Sequence, residues 1–297
     1  MSLKRKYAIV DAPSILGLRP TGVELLPETL RRSGLLERLN AEYCGAVTPS
    51  APYESSRDTM SKLLNPKAIK DYSIRLADSM KLLLQNNKFP IVLGGDCSIL
   101  IGNVLALRRL GRYGLFFIDG HADFYLPEES PTGEVADMDL AIVTGRGPEI
   151  LSDLDHLRPL VMEQDIVVFG YRDAEQSAKY GCQDIKKTTM MKTIELGEVR
   201  RLGFQNAATL GIATLLKNEL TGFWIHLDAD VLEDSIMPAV DYRLPGGITF
   251  AELSNLLKLL LSSKKAVGIS ITIFNPTLDK DGSITRNFVS SIVVGLS

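Results

Sequence analysis

The chain has 297 residues, of which 45% are hydrophobic and 23% charged, and its formal net charge is −3. This length and composition fit one large α/β domain or two smaller ones. The chain has no basic surplus, which argues against a nucleic-acid partner, and no apolar run is long enough to cross a membrane. Three widely spaced cysteines, Cys44, Cys97 and Cys182, are typical of reduced thiols in a cytoplasmic protein.

Strand-like apolar runs alternate with helical patterns along the chain. Most of the strands are apolar on both faces, which predicts a mainly parallel sheet with helices on both sides. We find no repeat or linker that divides the chain, so we expect a single domain over residues 1–297. In chain order we predict strand 7–10, helices 28–39 and 66–86, strand 90–93, helix 98–110, strands 115–118 and 166–170, helix 205–220, strand 223–227, helix 250–262 with Thr249 as N-cap, and strand 267–273.

Three possible metal ligands follow the predicted strand at 115–118. Asp119, His121 and Asp123 occupy alternate positions, and alternate side chains of an extended backbone point to the same side. This pattern predicts a metal site at the end of a strand. The alternative is an ordinary turn in which the two aspartates cap the next helix.

A second pair of acids, Asp228 and Asp230, follows the predicted strand at 223–227 with the same spacing. The loops after neighbouring parallel strands meet at one edge of a sheet, so the two groups would form a cluster of like charge that is costly without a cation. Four carboxylates and one imidazole suit Mn²⁺, and they are enough for two ions that share bridging carboxylates. Zinc normally takes fewer oxygen ligands.

Two more strand ends are expected at the same edge. One is Gly-Gly-Asp-Cys-Ser at 94–98, where the two glycines allow a tight turn that would place Asp96 and Cys97 beside a ligand. The alternative is that Asp96 or Ser98 caps the next helix and that Cys97 is a small buried apolar residue. The other end is Phe-Asn-Pro at 274–276, where the proline stops the strand.

Five motifs in the sequence together carry a family resemblance. They are Gly-Gly-Asp-Cys-Ser at 94–98, Asp-Gly-His-Ala-Asp at 119–123, Asp-Ala-Asp at 228–230, Pro-Gly-Gly-Ile-Thr at 245–249 and Phe-Asn-Pro at 274–276. In this order they resemble the motifs of the arginase/agmatinase (ureohydrolase) family, over roughly residues 7–276. The resemblance implies a three-layer αβα fold with a mainly parallel sheet, a two-manganese cluster at the strand ends, and a trimer or hexamer.

The resemblance also implies which residues bind the two ions. One Mn²⁺ would be bound by Cys97, Asp119, Asp123 and Asp228, and the other by Asp119, His121, Asp228 and Asp230. A water molecule held between the ions would attack the guanidinium carbon of the substrate, and Asp230 would accept a proton from that water.

The sequence departs from the family at three places. Cys97 stands where the family usually has His, so one site should bind Mn²⁺ less well or prefer another metal. Ile273 stands where arginases have the Glu that holds the guanidinium, and the segment 130–140 lacks their proton-shuttling His. A minor branch of the family with the same cysteine acts on Nω-hydroxy-L-arginine, which makes that compound a candidate substrate.

Several further residues receive interpretations of their own. Glu175 is the position we assign to the substrate's α-amino group, with a solvated charged turn as the alternative. His226 is interpreted as a satisfied core histidine or a partner of a metal carboxylate, and the segment 241–243 as part of the pocket mouth. His156 receives no role.

The leading hypothesis is therefore a cytoplasmic, manganese-dependent hydrolase that cleaves a C–N bond of a guanidino or amidino compound other than plain arginine. The competing hypothesis is a non-catalytic relative that keeps the fold as a metal-binding, ligand-binding or assembly module. Metal content and turnover of a guanidino panel distinguish the two.

Overall fold

The computed structural model describes residues 5–297, and its central feature is one eight-stranded sheet. The strands run in the order β2-β1-β3-β8-β7-β4-β5-β6, and every neighbouring pair is parallel. The predicted three-layer α/β architecture with a parallel sheet is confirmed. The strands are β1 (Tyr7–Ala12), β2 (Glu42–Ala46), β3 (Phe89–Gly94), β4 (Gly114–Ile118), β5 (Ile166–Phe169), β6 (Lys192–Ile194), β7 (Phe223–Asp228) and β8 (Ala266–Thr272).

Helices cover both faces of this sheet. The helix that begins at Phe250 has Thr249 as its N-cap, as predicted: Oγ1 of Thr249 accepts from the backbone N–H of Glu252 at 3.1 Å, and Oε2 of Glu252 accepts from the N–H of Thr249 at 2.8 Å. The α-helices are α1 (Leu26–Arg32), α2 (Leu35–Leu39), α3 (Pro66–Gln85), α4 (Ile99–Arg108), α5 (Asp139–Val143), α6 (Glu149–Ser152), α7 (Ala174–Lys179), α8 (Ile185–Thr188), α9 (Leu196–Leu202), α10 (Phe204–Lys217), α11 (Phe250–Ser262) and α12 (Ser283–Leu296).

The core lies on both sides of the sheet because successive strand residues point to opposite faces. Phe116 and Ile225 pack in one buried cluster, and their neighbours Phe117 and Trp224 pack in the other. The apolar residues of each central strand therefore pack on both faces of the sheet, as a sheet covered by helices on both sides requires.

The predicted continuous helix at 28–39 is wrong. Helix α1 ends at Arg32, and α2 begins at Leu35 after Gly34, whose φ of 85° lies in the left-handed region. Glycine adopts this conformation at little cost, so the chain turns there without losing the apolar face of either short helix. The edge strands β2 and β6 and the last helix, α12, lie outside the predicted elements.

The four strands that precede the predicted motifs are neighbours in the middle of the sheet, in the order β3-β8-β7-β4. Their carboxyl ends therefore open onto one place. Among the described residues, no helix is long and apolar enough to cross a membrane.

Candidate metal centre and active site

The ends of β4 and β7 place two aspartates side by side. Ile118 pairs with Leu227 in the parallel register, so the next residues along the chain, Asp119 and Asp228, lie at the same edge of the sheet. Both side chains are buried. The acids that the sequence assigns to two different strand ends are thus brought together by the register of a single strand pair.

Hydrogen bonds fix the shape of the loop after β4. Oδ1 of Asp119 accepts from the backbone N–H of His121 at 2.7 Å, and Oδ1 of Asp173 accepts from the N–H of Ala122 at 3.1 Å. Asp123 adopts a φ of 44°, a left-handed conformation that aspartate tolerates better than most residues. The loop therefore turns back on itself and directs His121 and Asp123 toward the acids at the strand ends.

Asp230 connects the loops that follow β4 and β7. Its Oδ1 accepts from the backbone N–H of Gly120 at 2.9 Å, its Oδ2 lies 2.8 Å from Nδ1 of His121, and its own N–H donates to Asp228 at 2.7 Å. Burial acts to raise the pKa of Asp230, but the adjacent His121 lowers it below the ordinary value. Burial likewise acts to lower the pKa of His121, and Asp230 raises it.

The other three acids form a buried cluster of like charge. Burial, followed by the charges of neighbouring carboxylates, raises the pKa of Asp119, Asp123 and Asp228 well above the ordinary value. Within residues 5–297, Oδ2 of Asp119 has no hydrogen-bond partner. A divalent cation removes both penalties because it neutralises the carboxylates and provides a partner for the free oxygen.

The ligand atoms predicted from the sequence fall into two groups whose members lie within 4.8 Å of one another. One contains Asp119, His121 and Asp230, and the other contains Cys97, Asp119 and Asp123. Asp228 adjoins both groups through its contacts with Cys97 and Asp230. Most of the donors are carboxylate oxygens, so the residues present fit two manganese-type ions that share Asp119.

Cys97 lies fully buried at the end of β3 and faces the acids. Its sulfur is 2.9 Å from Oδ2 of Asp228 and 3.1 Å from Oγ1 of Thr272. A Cβ atom on Gly95 would stand 1.8 Å from the carbonyl oxygen of Ser14, so only glycine permits the turn that brings Cys97 to this position. Burial, and then the charge of Asp228, raises the pKa of the Cys97 thiol well above its usual range.

Asp96 does not point to the same place as Cys97. Its Oδ1 accepts from the backbone N–H of Ser98 at 2.9 Å, and its Oδ2 accepts from the N–H of Gly17 at 3.2 Å. Each interpretation of segment 94–98 is therefore right only in part. Cys97 lies with the acids, as the first expects, whereas Asp96 binds backbone N–H groups and α4 has no side-chain cap.

Ile273, the residue after β8, has a φ of 69°. A β-branched residue rarely adopts this conformation, and such strain is concentrated at functional sites. The backbone N–H of Ile273 donates to the carbonyl of Gly95 at 2.9 Å, and its buried side chain lines the cavity above the acids. An apolar group, rather than a carboxylate, is therefore presented to a bound ligand at this point.

A cavity of about 240 Å³ lies above the cluster. At its mouth, the Tyr242 hydroxyl donates to Oε2 of the buried Glu134 at 2.6 Å, and Nε of Arg19 lies 2.6 Å from Oε1 of Glu134. Tyr242 lines the cavity, as expected for segment 241–243, whereas Arg243 forms an ion pair with Asp234 outside it.

Asp137 is another carboxyl group in the cavity wall, next to Ala136. Its Oδ2 accepts from the hydroxyls of Ser130 at 3.0 Å and Thr132 at 3.3 Å, whereas its Oδ1 has no hydrogen-bond partner among the described residues. The pKa of Asp137 is raised to about 7, and burial is the largest cause. This acid can therefore carry a proton near neutral pH.

Glu175 lies apart from the cavity wall. It is exposed on the short helix α7, and the residues of this region that line the cavity are Gln176 and Tyr180. Its assignment to a substrate amino group stays a prediction. His156 is exposed, and its Nδ1 lies 3.2 Å from Oδ2 of Asp153.

The sequence assigns no role to Asp139 and leaves His226 as either a satisfied core histidine or a partner of a metal carboxylate, yet both lie fully buried beside Cys97. Only one nitrogen of His226 is hydrogen-bonded, because Nε2 has no partner in residues 5–297. The interpretation of His226 as a satisfied core histidine is therefore incomplete. The signal that could have identified Asp139 is its position in an otherwise apolar helix, Asp-Leu-Ala-Ile-Val.

Comparisons with known proteins identify relatives of this chain. The profile of the Arginase family matches residues 5–296. The arginase of Staphylococcus aureus (strain MRSA252) is 30% identical over 299 aligned positions, which cover 98% of this chain and 97% of that protein. Sequence similarity thus extends over nearly the whole length of both chains.

Solved structures give the same result for the fold. The 1.7 Å crystal structure of arginase from Bacillus subtilis has a TM-score of 0.86 at 27% identity and covers 99% of this chain and 98% of that one. The crystal structure of arginase from Bacillus cereus has a TM-score of 0.87 at 24% identity, with 99% of each chain covered.

Proposed function

Because the chain belongs to the arginase family of hydrolases, which act on guanidino and amidino groups, we propose that it uses two manganese ions to hydrolyse a small guanidino or amidino compound other than plain arginine. The observation that carries this proposal is the cluster of Asp119, Asp123 and Asp228. Three buried carboxylates with raised pKa values are costly without a cation, and their oxygens are the ligands that Mn²⁺ prefers.

The ligand sets follow from the two groups of donor atoms. We assign Cys97, Asp119, Asp123 and Asp228 to one ion and Asp119, His121, Asp228 and Asp230 to the other. When bound, such a pair of ions supplies an acidified water as the nucleophile. Asp230 would be the group that accepts the proton of that water, because it adjoins both loops that carry the ligands and its lowered pKa keeps the carboxylate ionised.

The leaving amine needs a proton, and Asp137 is the group that we assign to deliver it. Its side chain lines the cavity, its Oδ1 lacks a hydrogen-bond partner in the described part of the chain, and two hydroxyls hold the other oxygen. No histidine occurs in segment 130–140, so a carboxyl group takes over this task.

Ile273 is the reason that we expect a substrate other than plain arginine. A carboxylate there would contribute charge-assisted hydrogen bonds to a guanidinium worth about 1.5–3 kcal/mol, and isoleucine contributes none. The nearby carboxylate of Glu134 is already engaged by Arg19 and Tyr242. An amidine of lower charge or different shape fits better, and N-hydroxyarginine enters only as one member of a test panel. Glu175 is kept as the proposed contact of a substrate amino group.

The proposal is tested by metal content and turnover together. The purified chain is assayed with added Mn²⁺ on guanidino, N-hydroxyguanidino and formimino compounds, and the metal per chain is measured. We expect about two Mn per chain and turnover of one class. Asp119→Asn and Asp228→Asn should lose both, whereas Asp71→Asn, which changes an exposed carboxylate on α3, should lose neither. Turnover that survives loss of the metal would contradict the mechanism.

The assembly is proposed as a trimer or hexamer. Light scattering of the purified chain measures this directly, and a monomer at assay concentration would contradict it.

A further inference from the structure

Two buried polar side chains lie close together next to the acidic cluster but form no hydrogen bond with each other. Asp139 at the start of α5 and His226 on β7 are both fully buried. Within residues 5–297, the two carboxylate oxygens of Asp139 have no hydrogen-bond partner, and Nε2 of His226 has none either. Oδ2 of Asp139 and Nε2 of His226 are 3.9 Å apart, which is too far for a hydrogen bond.

Buried polar atoms without partners are rare, and those of Asp139 and His226 lie beside a further possible ligand atom, which indicates that a bound ion completes the group. Cys97 is the third member, because its sulfur, a carboxylate oxygen of Asp139 and a ring nitrogen of His226 lie within 4.8 Å of one another. This separation is close to the distances between donor atoms that share one metal ion, once the side chains close on it.

The ring of His226 is already oriented for this purpose. Its Nδ1 lies 3.0 Å from Oγ of Ser270, which also accepts from Nε1 of Trp224 at 3.0 Å, and the ring stacks on Phe117 with 4.9 Å between centroids. When Nδ1–H donates to Ser270, Nε2 carries a free electron pair directed at Asp139. A hydroxyl or carbonyl that fixes the other nitrogen is a regular feature of metal-binding histidines.

We propose that Cys97, Asp139 and His226 bind a divalent transition-metal ion of the zinc class at a buried site adjacent to the manganese-type cluster. One thiolate, one carboxylate and one neutral imidazole form a donor set that suits zinc and does not suit Mn²⁺. The charges of thiolate and carboxylate cancel those of the ion, so the filled site is neutral in an interior where net charge is costly. Binding releases the thiol and carboxyl protons.

This inference goes beyond the proposed function because neither Asp139 nor His226 belongs to the manganese ligand sets. The two centres compete for one sulfur atom. A Cys97 thiolate that binds zinc is withdrawn from Asp228, and the adjacent manganese ion is then held by carboxylates alone.

Cobalt(II) is the probe, since a cobalt–thiolate bond gives a charge-transfer absorption band that carboxylate ligation does not give. The full chain is freed of metal with a chelator and titrated with Co²⁺. We expect the band in the native protein and in Asp119→Asn, and its loss in Cys97→Ser, Asp139→Asn and His226→Gln. Ser270→Ala should weaken cobalt binding by about 10–100-fold, because the imidazole loses its orienting partner.

If the band survives in Asp139→Asn and His226→Gln but disappears in Asp119→Asn, the sulfur binds cobalt together with the carboxylate cluster, and the proposal is overturned. The lack of a band in the native chain would also overturn it. Should the core variants fail to fold, His121→Asn decides. Of the three histidines in the chain, His156 is exposed, so a cobalt-shifted imidazole N–H resonance in that variant must come from His226. If the thiolate band is intact but no cobalt-shifted imidazole resonance is seen, the proposal is also overturned.

Discussion

The sulfur of Cys97 lies 2.9 Å from Oδ2 of Asp228, across the gap between the ends of β3 and β7. The thiol donates this hydrogen bond to a carboxylate, because burial keeps the pKa of Cys97 well above its usual range. The contact links a soft ligand to a carboxylate that we assign as a bridge between two hard ions. With the ligand sets that we propose, the affinity for Mn²⁺ therefore depends on whether Cys97 stays protonated.

Cys97→His is expected to raise the affinity for Mn²⁺ by roughly tenfold or more, about 1.4 kcal/mol. An imidazole binds this ion as a neutral nitrogen ligand without the mismatch between hard ion and soft thiolate. Calorimetric titration of the metal-free protein with Mn²⁺ measures the effect. Cys97→Ser is the matched control, because it removes the sulfur without supplying an imidazole. Equal affinities in the native protein and the histidine variant would show that Cys97 does not bind this ion.

Ile273→Glu is expected to raise kcat/KM for plain arginine. The new carboxylate would stand in the cavity wall and contribute about 1.5–3 kcal/mol to binding a guanidinium, which corresponds to roughly 10–150-fold. The left-handed backbone at this position, with φ of 69°, is less strained for an unbranched side chain than for isoleucine.

The neutral variant Ile273→Gln serves as the control for the change of shape. It should give little of the gain, since it lacks the charge that pairs with the guanidinium. If both variants hydrolyse arginine equally well, charge at this position does not select the substrate.

The central part of the fold and the acidic part of the site could be predicted from the sequence because each depends on local patterns. Apolar runs such as that of β4 predict buried strands, and acids directly after such strands predict a site at the edge of the sheet. The extended alternation expected for Asp119 and Asp123 is wrong, because the chain bends after Asp119 and Asp123 has a φ of 44°. The edge strands β2 and β6 carry no such signal. The exposed and half-buried residues of β2 lack the continuous apolar run of the central strands.

The partners of buried polar groups could not be predicted, because they depend on the packing of distant segments. His226 was placed on its strand correctly, but only the fold shows Asp139 opposite one nitrogen and Ser270 opposite the other. The backbone conformation of Ile273 could not be predicted from the sequence either. A residue type that favours extended strands adopts positive φ there, because its N–H is held by the carbonyl of Gly95.

Asp137→Asn is expected to lower kcat by about 10²–10⁴-fold, the usual contribution of a positioned general acid. The amide keeps an oxygen that accepts from Ser130 and Thr132, so the fold should be unaffected, but it has no acidic proton. Steady-state kinetics on the best substrate of the panel separate the loss in kcat from any change in KM. A variant with native kcat would show that water, and not Asp137, protonates the leaving group.

The metal-free protein is expected to lose stability as the pH rises above about 6.5. The pKa values of Asp119, Asp123 and Asp228 are raised by folding, so the folded state keeps protons that the unfolded state has released. Stability then falls with pH, by at most about 1.4 kcal/mol per pH unit for each retained proton. His121, whose pKa is also raised, contributes with the same sign.

The window starts at 6.5 because of His226, whose pKa is lowered to about 3. Below that pH, unfolding lets this histidine take up a proton, which makes stability rise with pH and opposes the effect of the acids. Urea unfolding of chelator-treated protein at several pH values measures the slope. Asp119→Asn should flatten it, and Mn²⁺ should reverse it, because the ion binds the deprotonated carboxylates. A stability that is constant across this window without metal would mean that the three aspartates are already neutralised by other groups.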